Sequence, residues 1–127
     1  MRVNRLSVLM LLLWGWLCLG PAAPALAQGM PAAKATPTIL EFDRKLCPIC
    51  KASERVILAV KERYAGQFAV RKLYIDEEEK LFRRYRVAIV PTQVFLDAAG
   101  QEVGRHEGVY QQEALIQKLR ELKFIRD

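Results

Sequence analysis

Histidine and cysteine are scarce in this chain, which has one of the first, His106, and three of the second, Cys18, Cys47 and Cys50. A structural zinc site takes four ligands, and beyond residue 27 only Cys47, Cys50 and the distant His106 are on offer. Methionine is equally sparse. After Met30 there is none, so there is no methionine-rich tract of the kind that suits soft copper(I). Basic residues outnumber acidic ones, giving a net charge of +6, but no basic run exceeds two residues. A patch that thin argues against nucleic acid as a partner. Both tryptophans, Trp14 and Trp16, fall in the first 20 residues. No internal repeat or second domain boundary is visible, and 127 residues leave room for one domain.

The longest apolar run is also short. Leu6–Leu19 covers 14 residues, below the roughly 20 that a bilayer-spanning helix needs. Arg2 and Arg5 precede it, Pro21–Pro24 break it, and Ala25-Leu26-Ala27 follows as an A-x-A cleavage site. That three-part pattern predicts a secretory signal peptide over 1–27, removed after Ala27, with a membrane anchor as the alternative if the segment is retained. Removal takes the two charges of Arg2 and Arg5, lowering the net charge from +6 to +4. Export places Cys47 and Cys50 in a compartment, the periplasm by preference, where disulfides persist.

Residues 28–37 are rich in Ala and Pro and read as a flexible lead-in; a folded domain is expected over 38–124. Thr38–Phe42 is a buried strand and Asp43–Leu46 a loop. Ile49, Ala52, Val56, Val60 and Tyr64 recur at helical spacing, with Pro48 in the first turn and Gly66 as the stop. Phe68–Ile75 is a second strand, and Asp76 caps a helix over Glu77–Tyr85 whose acidic start and basic end suit its dipole. Thr92–Leu96 and Glu102–Glu107 flank the turn Ala98–Gln101 as a hairpin. A last helix spans about Gln111–Lys123, with Leu115, Leu119 and Leu122 on one face. The order β-α-β-α-β-β-α predicts an α/β fold in which a four-stranded mixed sheet carries helices on both faces.

Cys47-Pro48-Ile49-Cys50 is the chemical signature. Residues three apart at a helix start lie on one face, which suits a dithiol–disulfide pair. Cys47 falls at the N-cap, where free N–H groups and the helix dipole favour a thiolate. It is the expected nucleophile, with a depressed pKa that Arg44, Lys45, Lys51 and Arg55 reinforce. Cys50 is the expected resolving thiol. A structural disulfide closing so short a loop would stabilise little. The residues favour a redox pair, and the metal and structural readings stay open.

Thr38–Leu122 resembles the thioredoxin superfamily. ILEFDRKLCPICK matches the strand, loop and redox helix; KLYID, Val90-Pro91-Thr92 and Gly108 match later motifs. The resemblance implies that Glu41 is a buried proton acceptor for Cys50 and that Lys72 modulates it. It implies a cis bond before Pro91, and that Val90 and Pro91, beside Pro48 and Ile49, bind the substrate chain by strand addition. No cofactor beyond the Cys47–Cys50 disulfide is implied. Expected partners are protein thiols and disulfides, and a membrane redox partner that resets the pair. The chain departs from the family pattern where Asp43 and Leu46 replace aromatic residues, where Pro-Ile replaces Gly-Pro, and where the leading strand and helix are missing. Those departures resemble the abbreviated exported members. Two other classes stay open: an envelope copper carrier, and a redox-silent binding module on the same fold.

Overall fold

A computed structural model describes residues 35–127. The expected signal segment 1–27 and residues 28–34 of the lead-in, with Trp14, Trp16, Cys18 and Met30, lie outside the described residues. Strand β1 (Thr38–Asp43) leads to helix α1 (Pro48–Arg63), strand β2 (Ala69–Tyr74) and helix α2 (Ile75–Arg84). The β3 (Thr92–Leu96) and β4 (Glu102–Glu107) strands follow, then helix α3 (Gln112–Glu121). The sheet order is β2-β1-β3-β4. β1 and β2 run parallel across the α1 crossover, and β3 is antiparallel to both β1 and β4. This is the α/β arrangement, a four-stranded mixed sheet with helices on both faces, that the order of elements predicts.

β1 lies between two strands and between two layers of helices, so both of its faces are buried. Ile39 packs with Ile57 and Val60 of α1, Phe95 of β3 and Leu115 and Leu119 of α3. On the opposite face Leu40 and Phe42 meet Leu73, Phe82 and Val94, with Phe42 edge-on to Phe82 at a ring separation of 4.8 Å. Such fully buried side chains each contribute about 1.5–3 kcal/mol of transfer free energy. Helices α1 and α3 therefore cover one face, and α2 covers the other.

Three local expectations are corrected. The buried stripe of α1 is Cys50, Ser53, Ile57 and Val60, running on to Tyr64; Val60 and Tyr64 are as expected, while Cys50, Ser53 and Ile57 stand one position beyond Ile49, Ala52 and Val56. Ile49 is 53 % exposed. The reason is that Cys50 turns inward in the first turn, and Ser53 is a polar member of the core face. Asp76 does not cap α2: that helix starts at Ile75, Tyr74 is its N-cap residue, and no side chain closes the cap. Asp76, Glu77 and Glu78 sit in its first turn instead, where the helix dipole favours them. Asp43 is the last residue of β1, paired with Tyr74 and fully buried, not the first residue of a loop. Parallel pairing with β2 carries the strand one residue further than its apolar run.

Gly108 follows β4 at φ +94° and donates its N–H to the Pro91 carbonyl at 2.8 Å. An added methyl would meet nothing within 4 Å, so a side chain here is opposed by backbone strain alone. Gly108→Ala is expected to lose about 1–2 kcal/mol. In a thermal melt that is about 4–8 °C for each kcal/mol; an unchanged Tm would refute the strain argument.

Candidate redox site

The site begins where β1 ends. Leu46 takes a left-handed φ of 56° and is 99 % exposed. Cys47 then returns to extended backbone and caps α1. Its carbonyl accepts the Lys51 N–H at 3.1 Å, and its Sγ accepts the Cys50 N–H at 3.3 Å. Pro48 holds the first helical position, where its missing N–H costs nothing. Cys47 and Cys50 form a disulfide with their Cα atoms 5.2 Å apart. The two sulfurs differ in access: Cys47 is half-buried, while Cys50 is 2 % exposed.

Beside both cysteines opens a cleft of about 470 Å³, walled by Arg44, Lys45, Lys51, Lys72 and Tyr74. Of the four cations expected near the tetrad, Arg44, Lys45 and Lys51 line it and Arg55 does not; Lys72 of β2 lines it as well. Lys45 is held by Glu77 at 2.6 Å and Lys51 by Glu54 at 3.2 Å. Apolar Ile49 and Ile89 are each 53 % exposed. Ile89 leads into Val90 and Pro91, and the bond between those two is cis. Thr92, next in the chain, pairs with Phe42, so Pro91 lies at the same end of the sheet as the turn into Cys47.

Beneath α1 the sheet is polar. Glu41 is 1 % exposed and lies between Lys72 and Gln93 in register. Gln93 donates from Nε2 to Ser53 Oγ at 2.9 Å, which ties β3 to the buried face of α1. Burial, and then the charge of Asp43, raises the Glu41 pKa to about 7. Burial likewise raises the Asp43 pKa. The ammonium of Lys72 lies 2.9 Å from Asp43 Oδ2 and 2.9 Å from Glu54 Oε2. Burial works against the Lys72 charge, but those two partners outweigh it and raise its pKa. Lys72 therefore acts on Glu41 through its charge, while its ion pairs go to Asp43 and Glu54.

Ser53, Glu54, Gln93 and the buried position of Asp43 were not singled out from the sequence. Spacing held the signal. Asp43 is two residues from Glu41 on one strand and shares its face, and Ser53 is one turn beyond Cys50. Among the described residues no group of three or more His, Cys, Asp or Glu is arranged to hold a metal ion, and no helix is long and apolar enough to cross a membrane.

Comparison with known proteins agrees with this geometry. Residues 26–123 match the family of thioredoxin-like domains. Thioredoxin-1 of Drosophila melanogaster is 34 % identical over 58 residues, which is 46 % of this chain. The chain spans about half the length, 54 %, of that relative. Among solved structures, the germline-specific thioredoxin Deadhead of the same fly superposes with a TM-score of 0.64 at 27 % identity, covering 72 % of this chain and 85 % of that one. A thioredoxin-like protein from Clostridium perfringens gives 0.65 at 29 %, covering 73 % and 75 %. With nearly all of its described length inside that match, the chain belongs to the thioredoxin superfamily and carries a cysteine pair set for redox function.

Proposed function

We propose that this protein is a thiol–disulfide oxidoreductase that acts on exported proteins through Cys47 and Cys50, with no cofactor beyond that dithiol. The observation that carries the reading is the asymmetry of the pair: Cys47 is half-buried at a helix N-cap, and Cys50 is 2 % exposed on the buried face of α1. In the reducing direction, the Cys47 thiolate attacks a substrate disulfide. A Cys47–substrate disulfide forms, and one substrate thiolate leaves. Cys50 gives its proton to the Glu41 carboxylate, whose pKa of about 7 suits a base at neutrality. The Cys50 thiolate then attacks Cys47 Sγ, closes the internal disulfide and expels the second substrate thiolate. Val90 and Pro91, with Pro48 and Ile49, are the proposed contacts for the substrate backbone. The proposed place of action is the periplasm, reached through the 1–27 segment, with a membrane redox partner that resets the pair.

The reading is tested by trapping. Cys50→Ser removes the resolving thiol and is expected to accumulate a mixed disulfide with reduced-and-reoxidised insulin chains, seen as a mass gain that dithiothreitol reverses. Absence of any adduct, together with copper(I) held by the wild-type thiols, would overturn the enzyme in favour of a metal carrier.

A further inference from the structure

Three carboxylates share the polar layer under α1, and few cations answer them. Glu41 and Asp43 alternate along β1, so both point to the face that α1 covers, at 1 % and 0 % exposure. β2 contributes Lys72, α1 contributes Glu54 and Lys51, and β3 contributes the uncharged Gln93. Few polar hydrogens reach the two strand carboxyls; the Ser53 hydroxyl is the one that acts on Glu41, and it opposes the rise in the Glu41 pKa. Gln93 donates to Ser53, and the Lys72 ammonium lies between Asp43 and Glu54. Glu41 Oε1 and Asp43 Oδ1 are buried without a hydrogen-bond partner, and Lys72 at Oδ2 is the one cation that Asp43 meets at 2.9 Å. Buried carboxylate oxygens left in that condition favour taking up a proton over holding charge. Glu54 differs, because Lys72 and Lys51 hold its pKa below the usual carboxylate range, so it stays ionised.

We infer that Asp43 is a positioning residue of the redox reaction: with Glu41 it forms one coupled acceptor for a single proton, and its charge sets the pH at which Glu41 accepts the Cys50 proton. This rests on the oxidoreductase reading. In the resolving step the Cys50 S–H bond breaks and the proton passes to the carboxyl pair. The sulfur's electron pair then forms the bond to Cys47 as the substrate thiolate leaves with the electrons of the broken S–S bond. The proton is shared by two carboxylates and is afterwards released to solvent. Two like charges in one buried site cannot both persist at low cost, so they titrate as a pair.

The test is carbon NMR of the oxidised protein, in which the cysteines do not titrate, following the side-chain carboxyl carbons of Glu41 and Asp43 against pH. Both resonances are expected to report one common midpoint. In Asp43→Asn the Glu41 midpoint is expected to fall by about one pH unit or more. The alkaline shift in the rate of substrate release from the Cys47 mixed disulfide should move down with it. An unmoved Glu41 midpoint in a folded Asp43→Asn protein would overturn the inference. Should that variant not fold, a wild-type Asp43 resonance with no inflection at the Glu41 midpoint overturns it equally. The carboxyl titration needs no turnover, so an absence of thiol exchange would count against the oxidoreductase reading and leave the coupling to be judged separately.

Discussion

Cys47→Ser is expected to lower disulfide-exchange turnover by about a thousandfold or more, the scale on which removing a covalent nucleophile acts. A serine hydroxyl stays protonated at neutral pH and cannot form the mixed disulfide. The fold should survive the change, because Cys47 is half-buried and an N-cap serine is as favourable as any residue there. Insulin reduction with dithiothreitol, run on both proteins with circular dichroism as the control for folding, checks it. Undiminished turnover would show that Cys47 is not the attacking sulfur. Because neither Trp14 nor Trp16 is expected to survive signal cleavage, the redox state has to be read by alkylation and mass.

Lys72→Met is expected to lose about 3–5 kcal/mol of stability at pH 8, because it leaves buried carboxylates without their cation. Lys72 stands 2.9 Å from Asp43, which is fully buried, and 2.9 Å from Glu54 on α1. The loss should shrink at pH 5. Glu41 has a folded pKa of about 7 against an ordinary 4.5, so it binds its proton more tightly in the native state. A group raised in this way favours the fold fully below its unfolded value, and that contribution is lost as pH rises through the folded one. Wild-type stability should therefore fall between pH of about 4.5 and 7, and Lys72→Met should steepen that fall. Urea unfolding of both proteins at pH 5 and pH 8 measures it. An equal loss at the two pH values would mean that Lys72 contributes through packing alone.

The site was partly legible in one dimension. Cys47 and Cys50 were readable because i and i+3 spacing at a helix start constrains two sulfurs locally. Glu41 and Lys72 were readable only through the family resemblance, since nothing in a strand's own sequence says which residue opposes it across a sheet. The first half of the α1 stripe differs from its apolar spacing by one position for a related reason, while Val60 and Tyr64 follow it. Apolar spacing points to Ile49, but the inward residues include Cys50 and Ser53, the second of which is polar and bonded to Gln93. In the sequence Asp43 reads as the start of a loop, because an acid after an apolar run looks like its end. In the sheet it pairs with Tyr74 and faces Lys72.

Local periodicity and short-range chemistry were enough, without coordinates, to establish the order of elements, the parallel first pair, the hairpin and the redox tetrad. Each depends on residues a few positions apart, whose geometry the backbone dictates directly. Strand register and the packing of α1 on the sheet decided the rest: that Asp43 is a second buried carboxylate, that Lys72 is committed to Asp43 and Glu54, and that Gln93 anchors Ser53. Those contacts join residues up to 40 positions apart. Burial strengthens them by removing the water that would otherwise screen each charge, and which charges lose their water is determined only when the layers close.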